Sequence, residues 1–180
     1  MNDSWIQTYT GKQFFPLNPD PAAICIEDIA HSLSMQCRFN GHCKRFYSVA
    51  EHSVLVSRFC RPDYALAGLL HDAAEAYLSD LPAPIKAELA LYRDAENRLT
   101  AAIFEKFGLK FPIHNDVKFM DSVLLSTEKS EIMGKEPARW PQIKHPPIES
   151  IAKPVLNCWV PVVAKYEFLK RFDNLCLGGS

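Results

Sequence analysis

Four residues of this 180-residue chain have the types and spacing to hold a metal ion: His52, the adjacent pair His71 and Asp72, and Asp121. Two imidazoles and two carboxylates make a mixed nitrogen and oxygen donor set that suits a divalent transition metal. An ion would also answer an energetic problem. In LLHDAAEAYLSDLPAPIK, residues 69–86, the ionisable residues His71, Asp72, Glu75 and Asp80 stand beside Leu69, Leu70, Ala73 and Ala74. Burying such groups costs several kcal/mol or more unless something pairs with them. A competing reading makes His52 a core histidine bonded to a backbone carbonyl and Asp72 the partner of a lysine. On spacing alone the two readings are even. Asp121 tips the balance. It lies inside FMDSVLL, in a helix interior where aspartate is a poor former. An ion pair with Lys118, three residues earlier, is worth only a few tenths of a kcal/mol. A fourth ligand from a third helix would complete the set and leave positions open for water and substrate.

The elements that must position these residues read as helices. SVAEHSVLVSRFC (48–60) opens with a capping box, Ser48 and Glu51, and puts Val49, His52, Val56 and Phe59 on one face. Arg61-Pro62-Asp63 is a turn, with Asp63 a candidate cap. YALAGLLHDAAEAYLS (64–79) then reads as one apolar, central helix that the prolines after Asp80 break. His52 and His71 each stand nine to ten positions from the midpoint of the turn at 61–62. In an antiparallel helix hairpin equal distance from the turn means equal height, because both helices rise ~1.5 Å per residue. The imidazoles can therefore face each other, with Asp72 about 100° further round.

Around this hairpin, ICIEDIAHSLS (24–34) predicts a short helix and IKAELALYRDAENRLTAAIFEKFG (85–108) a long one that stops at Gly108. Asn115-Asp116 caps a further helix that ends near Gly134, and VPVVAKYEFLKRF (160–172) closes the chain. Almost nothing alternates with period two. The fold class is all-α, a compact helical bundle in a single domain: an extended arm over 1–23, a helical core over 24–133, and a proline-rich segment with a final helix over 134–180.

Composition removes several function classes. The net charge is −1, so no basic field argues for a nucleic-acid polymer or a membrane surface. No apolar run approaches the ~18 residues of a membrane span. The six cysteines form no Cys-x-x-Cys pair and the first residues carry no apolar secretory core, which predicts reduced thiols in a cytoplasmic protein.

His52, then His71-Asp72, then Asp121 resembles the H…HD…D signature of the HD-domain metal-dependent phosphohydrolases. The pair in register with Glu75, Asp80 and the Leu-Pro-x-Pro-x-Lys tail resembles more closely the small HD nucleotidohydrolases, which include bacterial 5′-deoxynucleotidases and compact phage-type dATP triphosphohydrolases. The resemblance covers roughly residues 24–133, with a shortened interval between His52 and His71. It implies one divalent ion (Zn, Co, Mn or Mg) on His52, His71, Asp72 and Asp121, with Glu75 handling a proton and Asp80 orienting water or substrate. It further implies substrate contacts from Arg38 and Phe39, from Lys86 and Lys118 to phosphates, and from Pro84 beside the base. His42, near Arg38, is a further substrate candidate.

Asp80 has an alternative role as the cap of a helix near residue 84. His31 and His42 lie near Cys37 and Cys43, but the spacing fits no zinc pattern well. Only His114 stands between Asp72 and Asp121, which favours a mononuclear site over the dinuclear branches.

The implied activity is hydrolysis of deoxynucleoside phosphates. Release of triphosphate from a dNTP, dATP preferred, is favoured by the number of cations; release of phosphate from a dNMP is the alternative. A non-enzymatic nucleotide-sensing protein that contains a metal is a rival, as is a helical domain whose buried charges merely pair. The relatives are commonly dimers or hexamers, so a homo-oligomer is expected, in the host cytoplasm if phage-encoded.

Overall fold

The computed structural model describes residues 4–148 and 156–177. Among the described residues the chain is all-α apart from one short hairpin. Its helices are α1 (Ile26–Met35), α2 (Val49–Phe59), α3 (Ala65–Leu70), α4 (Glu75–Leu78), α5 (Ala83–Glu88), α6 (Ala90–Lys106), α7 (Asn115–Ile132) and α8 (Pro161–Leu177). The arm expected at the start is a hairpin of β1 (Ile6–Gln7) and β2 (Gln13–Phe14), with Ile6 opposite Phe14. Phe14 is buried and stacks on Tyr77 at 4.2 Å. Asp28 of α1 holds the hairpin by accepting from Thr10 N–H and Oγ1–H at 2.7 and 2.9 Å.

The centre of the bundle is α2, which packs against α1, α3, α7 and α8. Residues Val49 to Ser57 are all buried, so α2 is enclosed on every side rather than along one stripe. Phe59, expected on the inner face, is 40% exposed, because α2 ends there and the chain leaves the core. Ser48 caps α2 by accepting from Glu51 N–H at 3.1 Å. The Glu51 carboxylate, expected to reach back to Ser48, turns instead to the backbone N–H groups of Asn157, Cys158 and Trp159, at 2.7, 2.9 and 2.6 Å. Three converging donors outcompete the single one at the cap, and the contact clamps the segment before α8 onto the core.

The expected single helix over 64–79 is interrupted. Between α3 and α4, Ala73, Glu75 and Ala76 N–H bond to the carbonyls of Leu70, Asp72 and Ala73. These are i→i−3 bonds, the tighter 3-10 pattern. The tightening falls on His71 and Asp72. The expected helix over 85–108 is also two helices, broken at Leu89 (φ −104°, ψ 81°). Arg93 Nη1 donates to the Lys86 and Ala87 carbonyls across the break and replaces bonds the helix loses there. Asp63 caps nothing, since the turn at Pro62–Tyr64 has no side-chain cap. The cap of α7 is His114, whose Nδ1 accepts from Asp116 N–H at 3.1 Å, rather than the Asn115-Asp116 pair. Gly108 follows α6 with φ +68°, the left-handed stop its position implied. Residues 134–148 hold no regular helix or strand; the rest of the proline-rich segment, 149–155, lies outside the described residues.

Candidate metal centre

The floor of the site is built by α2 and α3, and one glycine sets their separation. A Cβ on Gly68 would lie 3.2 Å from Ser57 Cα and 3.1 Å from Cys60 Sγ. Only a residue without a side chain lets the helices approach this closely. One turn later the same approach brings His52 Nε2 and His71 Nε2 to 3.3 Å, the equal height implied by their distances from the turn.

Both rings are pinned through Nδ1. His52 Nδ1–H donates to Glu128 Oε1 at 2.6 Å, and His71 Nδ1–H donates to the Gly68 carbonyl at 2.8 Å. A carboxylate and a carbonyl only accept, so each ring carries a proton on Nδ1 and turns Nε2, a lone pair in the neutral ring, toward the other. Two carboxylates add to this concentration of lone pairs. Asp72 Oδ2 lies 3.2 Å from His71 Nε2 and 3.6 Å from His52 Nε2. Asp121 Oδ1, arriving from α7, lies 3.2 Å from His52 Nε2 and 4.0 Å from His71 Nε2.

His52, His71 and Asp72 thus form a group whose donor atoms lie within 4.8 Å of one another and which could hold a metal ion. The donor set fits such an ion. Ligand bonds of ~2.1 Å place neighbouring ligand atoms roughly 3.0–3.4 Å apart in octahedral or tetrahedral geometry, close to the shorter separations seen here. With no ion present, burial opposes protonation of His71, but Asp72 overcomes it and pushes the imidazole up to about 9, so a proton on Nε2 takes the place that a cation would fill. Burial works against the Asp72 charge too, and His71, then His52 and Arg38, hold it well below the usual carboxylate range.

Behind His52 stands a group that the sequence reading missed. Glu128 is fully buried. Besides His52 it accepts from Tyr47 Oη–H at 2.8 Å and from Arg38 Nε and Nη2 at 3.2 and 3.1 Å. Burial disfavours its charge; Arg38 first and then His52 reverse this and lower its pKa. A carboxylate behind a ligand histidine fixes the ring and raises its basicity. In the segment STEKSE, Glu128 is one charged residue among several and nothing marks it out. The available signal was its place seven residues after Asp121, two turns along the same face of α7.

Glu75 follows on α4, buried, with Oε1 3.5 Å from Lys86 Nζ. Its Oε2 is buried with no hydrogen-bond partner among the described residues. Burial, then Asp72 and Asp80, push its pKa well above the usual range. Gln36 is a second residue the sequence reading passed over. Its amide donates to the Glu75 carbonyl at 3.0 Å and accepts from Asp80 N–H at 3.1 Å, so it ties down the loop that bears both acids. Asp80 does not cap α5, whose N-cap is Pro82 without a side-chain bond.

A cleft of about 200 Å³ opens beside the site, lined among others by His71, Asp72, Lys86, Asn97, Lys118 and Asp121. Lys118 is exposed there. Lys86 is not the free cation the sequence suggests; it donates to Glu96 at 2.7 Å. Arg38 reaches the metal group but through ion pairs, with Asp72 at 3.6 Å and with Glu128. Phe39, His42 and Pro84 are not among the cleft's lining residues. Phe39 meets Trp140 edge-on at 6.0 Å, and His42 and Pro84 are exposed. His31 stacks on Tyr9 at 3.8 Å, apart from the metal group.

No helix among the described residues is long and apolar enough to cross a membrane. No family model matches the chain. Two relatives do. A protein of Rhodobacter capsulatus, described as uncharacterized, is 39% identical over 148 residues, 74% of this chain and 76% of its own. The uncharacterized protein YfdR of Escherichia coli (strain K12) is 38% identical over 172 residues, 96% of both chains. With that identity sustained from end to end, the chain belongs to the YfdR family.

Proposed function

We propose that the chain is a metal-dependent phosphohydrolase of deoxynucleoside phosphates, of the HD type that its H…HD…D pattern resembles. The observation that supports this reading is the pair of facing Nε2 atoms, flanked by Asp72 and Asp121, at a cleft with lysines on its wall. His52, His71, Asp72 and Asp121 would hold one divalent ion. Such an ion, when bound, polarises a phosphoryl oxygen and lowers the pKa of water beside it.

The chain's own residues supply the rest. Glu75, held toward its protonated form by burial and by Asp72 and Asp80, carries a proton for the leaving oxygen. Lys118 draws the phosphate end of a substrate into the cleft. Gln36 keeps the Glu75 carbonyl and the Asp80 amide in register.

Within this class the pairing of the cations bears on the substrate. Arg38 is committed to Glu128 and Asp72, and Lys86 to Glu96 and Glu75. That leaves fewer free cations than a triphosphate calls for, and it favours phosphate release from a deoxynucleoside monophosphate over triphosphate release from dATP. A nucleotide sensor would need no buried carboxyl oxygen without a hydrogen-bond partner such as Glu75 Oε2.

The test is the purified chain, loaded in turn with Mg, Mn, Co and Zn and given dNMPs and dNTPs, with products separated by chromatography. Inorganic phosphate from dNMPs, lost in Asp72→Ala, is the expected result. Triphosphate release would restore the larger substrate. Tight nucleotide binding without cleavage would support a sensor. Cleavage that survives in Asp72→Ala would overturn the site.

A further inference from the structure

Away from the cleft, two thiols touch. Cys37 Sγ and Cys43 Sγ are 3.5 Å apart, each half-buried. They bracket residues 38–42, and α7 grips this segment on both sides. Arg38 bonds Glu128 through Nε and Nη2, while Lys44 N–H donates to the Ile132 carbonyl at 2.8 Å. Glu128 and Ile132 are about one turn apart on α7, so the two anchors set the distance between the loop's ends. A bridge between Cys37 and Ser48 holds the same loop at its base. Within it, Phe39, Asn40 and Gly41 take φ of 56°, 52° and 78°. Left-handed backbone is strained for a non-glycine residue. Two such residues in succession, held by anchors, leave the thiols in contact.

We propose that Cys37 and Cys43 are a dithiol modification site, converted to an intramolecular disulfide by a low-molecular-weight disulfide such as oxidised glutathione. Burial pushes the Cys43 thiol up to about 11, which makes it a poor first attacker, so Cys37 begins. The Cys37 thiolate forms a bond to one sulfur of the reagent. The reagent's S–S bond breaks, and its other sulfur leaves with the electron pair and takes up the proton Cys37 lost. The Cys43 thiolate then attacks Cys37 Sγ and expels the second small thiolate, which takes up the Cys43 proton. Two protein thiols are oxidised and one small disulfide is reduced to two thiols. A disulfide is ~2.05 Å long, so the sulfurs close by only about 1.5 Å. The product is a covalent ring enclosing Arg38 and Phe39. In a reducing compartment it is transient and reversible.

The test uses the full chain in a Cys25→Ser/Cys176→Ser background, which removes the exposed thiol of Cys176 and the half-buried one of Cys25. It is exposed to excess oxidised glutathione, quenched with an alkylating agent and mapped by mass spectrometry. A peptide cross-linked between residues 37 and 43, a mass lower by two hydrogens and reversal by dithiothreitol are expected. Cys43→Ser should retain one glutathione on Cys37. The wild-type chain must give the same cross-link, so the result does not depend on the variants folding. Recovery of both residues as alkylated free thiols, or a disulfide from either to Cys158, would overturn the proposal. No metal or nucleotide enters the test, so its outcome is separate from that of the proposed activity.

Discussion

His52 and Glu128 form a buried pair, Nδ1 to Oε1 at 2.6 Å, and neither side chain is reached by solvent. The pair joins α2 to α7 and aims the opposite ring nitrogen at His71. Replacing Glu128 with Gln keeps the shape, but an amide accepts more weakly and offers a donor where the ring already donates. We expect Glu128→Gln to weaken zinc or manganese binding about 10–100-fold, read by calorimetric titration, with the fold retained by circular dichroism. Unchanged affinity would reduce Glu128 to a packing group.

Gly68 sets how closely α3 approaches α2. A methyl group there meets Ser57 Cα and Cys60 Sγ inside ordinary contact distance. Gly68→Ala is expected to cost about 1–3 kcal/mol, the usual range for overpacking a core, measured by urea denaturation. It should also lower metal affinity, since His71 directly follows α3 as its C-cap and bonds the Gly68 carbonyl. Wild-type stability in this variant would show that the helices can part without loss.

Glu51 binds three backbone N–H groups from a buried position. Bonds to a charged acceptor contribute roughly 1.5–3 kcal/mol each, and they are not additive. Glu51→Ala should therefore destabilise the chain by about 3 kcal/mol or more. Hydrogen exchange at Asn157, Cys158 and Trp159 should accelerate beyond that at the α2 core. Equal protection in variant and wild type would remove the clamp from the account.

Cys60 makes stability depend on alkaline pH. Burial, with Asp116 and Asp121 nearby, pushes its thiol up from 9.0 to about 12. Between these values the unfolded chain has released the proton and the folded chain still holds it. The folded state binds more protons, so unfolding free energy falls as pH rises. This stability is fully present below about pH 9 and is lost toward pH 12, at no more than ~1.4 kcal/mol per unit for one thiol. Cys60→Ser should flatten that part of the curve in denaturant melts from pH 8.5 to 11.

The local code of this chain reads directly from its residues. Helical periodicity makes it all-α, Ser48 starts α2, Gly108 stops α6, and the distances of His52 and His71 from one turn place their rings level. These are short-range properties, set by backbone geometry and caps. What tertiary structure decided is what each buried charge meets. Glu51 looked like a capping partner and nothing along the chain marked Glu128, yet one found three N–H donors over a hundred residues away and the other found His52, Tyr47 and Arg38. The same holds for Lys86 and Arg38, cations on paper that the fold neutralises. A carboxylate's partner is chosen by which donors lie within about 3 Å after packing. Residue type and spacing along the chain do not contain that distance.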